Sequence, residues 1–373
     1  MTIIKSNSRG PLVKFLQLTL KNLNLYDDEI DGIFGQNTLN AVKIFQVNNN
    51  LNPDGIVEEI TWNALLEYME VPTTIPYTYN ILMLNINSLV NKYSFISFGS
   101  IGDSVMGKSI PYLKLGQGLK KLLYVAGTHA NEWICCPLLM KFIEDYCIAY
   151  STGGKIFDRF AKDLFDTATI YIVPMLNPDG IDLVTGSLDK NSTEYLNAKE
   201  IADNFPNIRF PDGWKANIQG IDLNLQFPAK WEQAREIKFV QGYTTYAPRD
   251  FVGNFPLEAV ESLALYYFTI DNNFELMLTY HSQGEVIFWK FLDYNPPNAL
   301  EIGEEFSRLS GYSLQATPYA SSFAGFKDWF IQTYNLPGYT IEVGLGTNPL
   351  PLSQFDSIYE DNLGVLTTAP FLI

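Results

Sequence analysis

The sequence predicts an α/β fold, a sheet covered by helices on both faces, preceded by a small three-helix domain. Three observations carry that prediction. From Tyr77 onward, apolar strand-like runs alternate with helix-like stretches. The first 70 residues contain an internal echo, and a break with two prolines and no periodicity lies between the two regions. A length of 373 residues suits two or three domains at roughly 150 residues each. A hydrophobic content of 47%, with 14% aromatic, is ample for a large packed core.

The front region comes first. Val13, Leu16, Leu20 and Leu23 recur at helical spacing. Asp31-Gly32-Ile33-Phe34 is followed by Thr38 and Ala41, and Asp54-Gly55-Ile56-Val57 by Thr61 and Ala64. Both copies have seven residues from Asp to Thr and three from Thr to Ala. Each reads as a tight Asp-Gly turn, a Thr N-cap and an amphipathic helix. Residues 1–70 therefore form one module, and residues 71–76, with Pro72 and Pro76, form a linker. The second domain spans 77–373. In it, residues 122–126, 170–174, 274–280 and 339–343 read as buried strands, and 133–150 and 257–270 as helices. Strands alternating with helices imply a sheet covered on both faces.

Composition narrows the function classes. A net charge of −16 argues against nucleic acid or an anionic membrane as partner. Cys135, Cys136 and Cys147 fall in one predicted helix, an odd and clustered set that reads as buried thiols rather than a disulfide framework. Residues 1–8 lack the apolar core of a signal peptide, and no run of about 18 apolar residues offers a membrane span. The expectation is cytoplasmic synthesis, with no membrane span.

Histidine is used twice in the chain, and each use follows a predicted strand. His129 comes just after the run 122–126, and His281 closes the run 274–280. Glu132 lies three residues beyond His129. Two imidazoles and one carboxylate make the ligand set of a catalytic zinc site with a fourth position left for water. Taken singly, each histidine could equally be a hydrogen-bonded core or surface residue. The context favours the metal: His129, His281 and Glu342 all fall at the carboxyl ends of predicted strands, where open α/β sheets place their ligands. Glu342 is set among Tyr339, Ile341, Val343 and Leu345, and a buried carboxylate there is costly unless a cation compensates it.

These residues resemble a known family. The His129-x-x-Glu132 pair, His281-Ser282 at a strand end, Glu342 in Thr340-Ile341-Glu342-Val343-Gly344, and Asn177-Pro178-Asp179-Gly180 between them are similar to the zinc metallocarboxypeptidases. The likeness runs over nearly all of 77–373. It implies a mixed sheet of the carboxypeptidase kind, one Zn2+ held by His129, Glu132 and His281, and Glu342 as general base. The stretch from Trp214 to Leu225 resembles the family's R-x-N-x-x-G-V-D-L-N-R. By that resemblance Lys215 is the cation that stabilises the oxyanion, Asp222 orients a zinc-bound histidine, and Asn224 is an amide for a substrate carboxylate. Tyr319 matches a substrate-capping tyrosine, one residue out of register, and Lys327 falls at the base of the specificity pocket. Each also has a plain reading: Asp222 as a turn former, Lys215 and Lys327 as surface charges, Tyr319 as a packing residue.

Leu225 departs from the pattern. Carboxypeptidases have an arginine there that grips the substrate's terminal carboxylate through a bidentate pair, which a leucine cannot make.

Asp31 through Gln46 resembles the type-1 peptidoglycan-binding family. Gly220 through Ala229, joined to such a module, is similar to the γ-D-glutamyl-meso-diaminopimelate peptidases of the cell-wall branch. That likeness implies cleavage of peptidoglycan stem peptides between γ-D-Glu and diaminopimelate, which carry extra carboxylates beside the scissile bond. Three other functions remain in view. One is a true metallocarboxypeptidase using another cation in place of the arginine. A second is an amidohydrolase of small acylated amino acids, for which a wall-binding module serves no purpose. The third is a wall-binding protein with a dead peptidase domain, which would need neither the three ligands nor Glu342.

Overall fold

Ten strands are present in the computed structural model, which describes residues 2–373. They are β1 (Ser97–Asp103), β2 (Ser109–Leu115), β3 (Lys120–Val125), β4 (Lys155–Ile156), β5 (Arg159–Phe160), β6 (Ala168–Val173), β7 (Leu276–His281), β8 (Val286–Lys290), β9 (Ser313–Ala316) and β10 (Gly338–Glu342). β4 and β5 make a separate hairpin; the other eight form one sheet in the order β1-β2-β6-β3-β7-β10-β8-β9. β6, β3, β7 and β10 run parallel at its centre, and antiparallel pairs flank them, so the sheet is mixed. The four strands expected from the sequence are these four, displaced by two residues or fewer at their ends.

Alternate residues of the central strands enter opposite cores, as a period of two demands. Leu122, Tyr124, Ile170, Ile172, Leu276 and Leu278 belong to one core. Leu123, Val125, Tyr171, Val173 and Met277 belong to the other. Helix Cys135–Thr152 packs into the first core, and helices Val260–Asn272 and Phe326–Tyr334 into the second. Cys135, Cys136 and Cys147 are buried and unpaired. No helix among the described residues is long and apolar enough to cross a membrane.

The front module has the three expected helices, Pro11–Asn22, Gln36–Asn48 and Glu59–Leu65. Its echo has a physical basis that the sequence reading did not reach. Gln17 is fully buried, and its amide nitrogen lies within 3.1 Å of Asp31 Oδ1, Ile33 O and Thr38 Oγ1, while its oxygen accepts from Gly32 N. Gln46 repeats the set with Asp54 Oδ1, Ile56 O, Thr61 Oγ1 and Gly55 N. Gly32 and Gly55 have φ of 77° and 79°, the left-handed region that glycine tolerates. The threonines are not N-caps. Gly35 and Glu58 hold those positions, and each threonine hydroxyl faces the buried glutamine instead.

Each glutamine thus satisfies several buried groups at once. Gln46→Ala is expected to destabilise the module by about 2–4 kcal/mol, because buried donors and acceptors lose their partners. Denaturant titration followed by the fluorescence of buried Trp62 checks this; a change below about 0.5 kcal/mol, typical of an indifferent surface site, would show that the network is idle.

Residues 71–76 are irregular, as expected, but packed. Val71 and Ile75 are buried in the core shared with the module. Val71 N donates to Glu144 Oε1 at 2.9 Å, and Ser88 Oγ to Leu66 O at 2.7 Å. The apolar residues in the segment draw it into the interface, so it joins the two parts without acting as a free spacer.

Candidate active site

Three neighbouring parallel strands deliver the site to one edge of the sheet. His281 is the last residue of β7, Glu342 the last of β10, and the two are register partners. After β3 ends at Val125 the chain turns through Gly127, where φ is 63° and a Cβ would meet Cys136 Sγ at 2.7 Å. That turn brings up His129, followed by a 3-10 turn, Ala130–Glu132, that places Glu132.

The three groups converge. His129 Nδ1 lies 3.0 Å from Glu132 Oε2, and His281 Nδ1 lies 2.9 Å from the same oxygen. The two Nδ1 atoms are 3.0 Å apart. Ligands on a zinc tetrahedron at about 2.0–2.1 Å stand about 3.3 Å from each other, so the donor set fits that ion. The far ring nitrogens are held as well: His129 Nε2 by Asp222 Oδ1 at 3.1 Å, and His281 Nε2 by Thr279 Oγ1 at 3.0 Å. Such outer contacts fix the tautomer and aim the inner nitrogen. All three side chains are buried. Burial opposes charge on each, yet His129 and His281 hold the Glu132 carboxyl well below its usual range. Burial likewise opposes charge on His129, but Glu132 and Asp222 outweigh it and raise its pKa; on His281 burial prevails and lowers it.

Beside the cluster is a cleft of two lobes, about 280 and 540 Å³, that share a wall made by Lys215, Arg249, Phe288 and Glu342. Burial first, and the Glu132 carboxylate next, push Glu342 up to about 8, against the pull of Lys215 and His129. A cation at the three ligands would pull it further down. Burial lowers Lys215, but Asp222, Glu132 and Asp250 together raise it, so it keeps its charge. Asn224 lines the smaller lobe; its Oδ1 accepts from Phe326 N at 3.0 Å, and its amide nitrogen has no acceptor among the described residues. Leu225 lines the same lobe.

Two expected residues stand differently from the others. Lys327 lines the smaller lobe but is 4% exposed, and its ammonium lies 2.8 Å from Lys290 O, 3.0 Å from Thr317 Oγ1 and 2.7 Å from Asp328 Oδ1. Its charge is spent within the protein. Tyr319 is exposed at the rim, its hydroxyl accepting from Gln233 Nε2 at 2.9 Å, and it is not among the lining residues although Pro318 and Ser321 are. Arg249 escaped the sequence reading. A single arginine in a loop, one of 25 basic residues, has no spacing to mark it.

Comparisons with known proteins agree with the geometry. The family described as zinc carboxypeptidase matches residues 85–364, and the one described as putative peptidoglycan binding domain matches residues 9–65. The chain is 43% identical over 296 residues to gamma-D-glutamyl-L-diamino acid endopeptidase 1 of Lysinibacillus sphaericus, covering 79% of this chain and 72% of that protein. It is 37% identical over 288 residues to the uncharacterized protein YqgT of Bacillus subtilis (strain 168), covering 77% and 75%. Among solved structures, carboxypeptidase A of Helicoverpa armigera shares the fold, with a TM-score of 0.60 at 17% identity over 82% of this chain and 75% of that one. A family match that spans the sheet, together with a buried His-Glu-His cluster at its carboxyl edge, places the chain in the zinc carboxypeptidase family.

Proposed function

We propose that this zinc peptidase hydrolyses the γ-D-glutamyl–diaminopimelate bond of peptidoglycan stem peptides, with the front module holding it to the wall. The observation that carries the reading is the cleft itself. Glu342 and Lys215 share a wall beside His129, Glu132 and His281, while Leu225 stands where a terminal-carboxylate clamp would be needed. The kinship with an endopeptidase named for a γ-D-glutamyl–diamino acid bond, and the match of the front module to a peptidoglycan-binding family, support the substrate.

His129, Glu132 and His281 would hold the ion. Zinc bound there supplies a Lewis acid that lowers the pKa of water and polarises a carbonyl. Asp222 keeps the Nε2 proton of His129, which leaves the Nδ1 lone pair facing Glu132. Glu342 accepts the proton of the attacking water and hands it to the amine nitrogen as the C–N bond breaks. Lys215, its charge sustained by Asp222 and Glu132, stabilises the oxyanion that forms on the carbonyl. The amide of Asn224 holds a substrate carboxylate in the smaller lobe, Lys327 with Asp328 shapes its floor, and Tyr319 caps it from the rim.

A direct comparison tests the reading. L-Ala-γ-D-Glu-diaminopimelate is expected to exceed an acylated hydrophobic L-dipeptide by at least about 100-fold in kcat/KM, because a substrate that lacks the extra carboxylates beside the scissile bond leaves buried polar groups unpaired. Faster turnover of the dipeptide would make the enzyme an ordinary carboxypeptidase.

A further inference from the structure

Two cations that line the smaller lobe of the cleft, Lys238 and Arg249, have no role above, and Arg249 is the one with free donors. Arg249 lies on the wall shared by both lobes, with Lys215 and Glu342. Its placement is over-determined. Lys215 N and Ala216 N both donate to Pro248 O, at 2.7 and 2.9 Å, which stitches the loop bearing Arg249 to the one bearing Lys215. Asp250 adopts φ of 65°, in the left-handed region that Asp and Asn tolerate better than other residues with a side chain. Here its N–H donates to Asp222 Oδ2 at 3.2 Å, and its carboxylate takes Lys238 Nζ on one oxygen and Arg249 Nε on the other, each at 2.5 Å. Asp222 is in turn bonded to His129 Nε2. Arg249 is therefore held by Asp250, whose backbone is in turn bonded to the carboxylate that orients a ligand of the metal site.

Among the described residues, Asp250 is the one carboxylate within 4 Å of either Lys238 or Arg249, so the two cations share a single close partner. Arg249 spends Nε on Asp250, while neither terminal nitrogen has a hydrogen-bond partner among the described residues and the side chain is 42% exposed. An end-on pair of N–H donors remains for a planar anion. Of the lysines lining the smaller lobe, Lys327 is saturated, Lys238 is buried against Asp250, and Lys215 already has the oxyanion as its proposed task.

We propose that Arg249 binds the free α-carboxylate of the residue that supplies the scissile carbonyl, when that residue is linked through its γ-carboxyl. This rests on the function proposed above and deepens it. A residue linked through its α-carboxyl has consumed that group in the bond being cut. A γ-linked glutamyl residue keeps it, a short aliphatic chain away from the carbonyl. A cation beside Glu342 and Lys215, where the bond must lie, separates a γ-linked glutamyl residue from an α-linked residue whose side chain bears no acid.

The test uses the zinc-loaded full chain and L-Ala-γ-D-Glu-diaminopimelate with the glutamyl α-carboxylate free or amidated. Wild type is expected to favour the free form by about 30–100-fold in kcat/KM, the effect of one charge-assisted pair. Arg249→Ala and Arg249→Gln are expected to bring the ratio within about threefold, the loss falling on the free form, and Arg249→Lys to keep part of it as a point charge. Should the alanine variant fail to fold, the glutamine variant carries the same ratio. Variants that lose rate on both substrates alike, keeping the ratio, would overturn the proposal, as would a wild type indifferent to amidation. A wild type that cleaves neither form removes the γ-glutamyl reading and this inference with it, whereas a retained ratio removes Arg249 alone.

Discussion

Glu342→Gln is expected to keep its metal and its fold and to lose turnover by 10²–10⁴-fold, roughly 3–5 kcal/mol of barrier. The substitution replaces one carboxylate oxygen with an amide nitrogen and changes little else in shape. Glu342 closes β10 as the register partner of His281, with Tyr339 and Ile341 buried behind it, so the backbone that presents it does not depend on its charge. The loss must then come from the missing proton acceptor. It is expected in kcat and in kcat/KM together, because the proton is transferred in the transition state and not in the bound complex. The pH profile adds a second readout. A base works only as the carboxylate, so the wild-type rate falls as pH drops through the pKa of Glu342, and that limb is expected to vanish in the variant. A variant within about threefold of wild type would assign the base to another group.

Which parts of this enzyme could be read from its sequence follows from where burial is complete. β3, β6, β7 and β10 are covered on both faces over most of their length and appear as mainly apolar runs. β1 and β9 are largely solvent-facing edges with mixed residues, and neither they nor their neighbours β2 and β8 announce themselves. The metal site was legible because histidine occurs twice and both copies serve it. Lys215, Asp222 and Asn224 were reachable only through a resemblance, since their placement depends on a loop pinned by hydrogen bonds to distant segments. The module shows the opposite limit. Its echo of Asp-Gly and Thr was plain, but the glutamines that explain it, Gln17 and Gln46, looked like ordinary polar helix residues until the helices were packed.

Replacing His281 with alanine is expected to take most of the zinc from the protein while the sheet stays folded. His281 contributes one of three donors that meet within 3.0 Å, and without it Glu132 and His129 offer an incomplete set. The contrast with Asp222→Ala gives the result its meaning. That change leaves all three donors and removes only the contact that aims His129, so zinc affinity is expected to fall by about 10–100-fold, the usual cost of an outer partner. Affinity in His281→Ala is expected to fall further than in Asp222→Ala. Metal content after gel filtration separates the two, and stability supplies a check that needs no substrate. An ion that binds the native state alone adds about 4 kcal/mol at a free concentration 1,000 times its Kd. Chelation is therefore expected to lower the melting temperature of wild type clearly, of Asp222→Ala to a lesser degree, and of His281→Ala hardly at all. The lost ring also removes partners from Thr279 Oγ1 and Glu132, at about 1–3 kcal/mol for each buried group left unpaired, so the variant starts from a lower melting temperature even without metal. The chelator-dependent difference, not the absolute value, is the test. Full zinc occupancy in His281→Ala, with a melting temperature that still drops on chelation, would move the metal to other ligands.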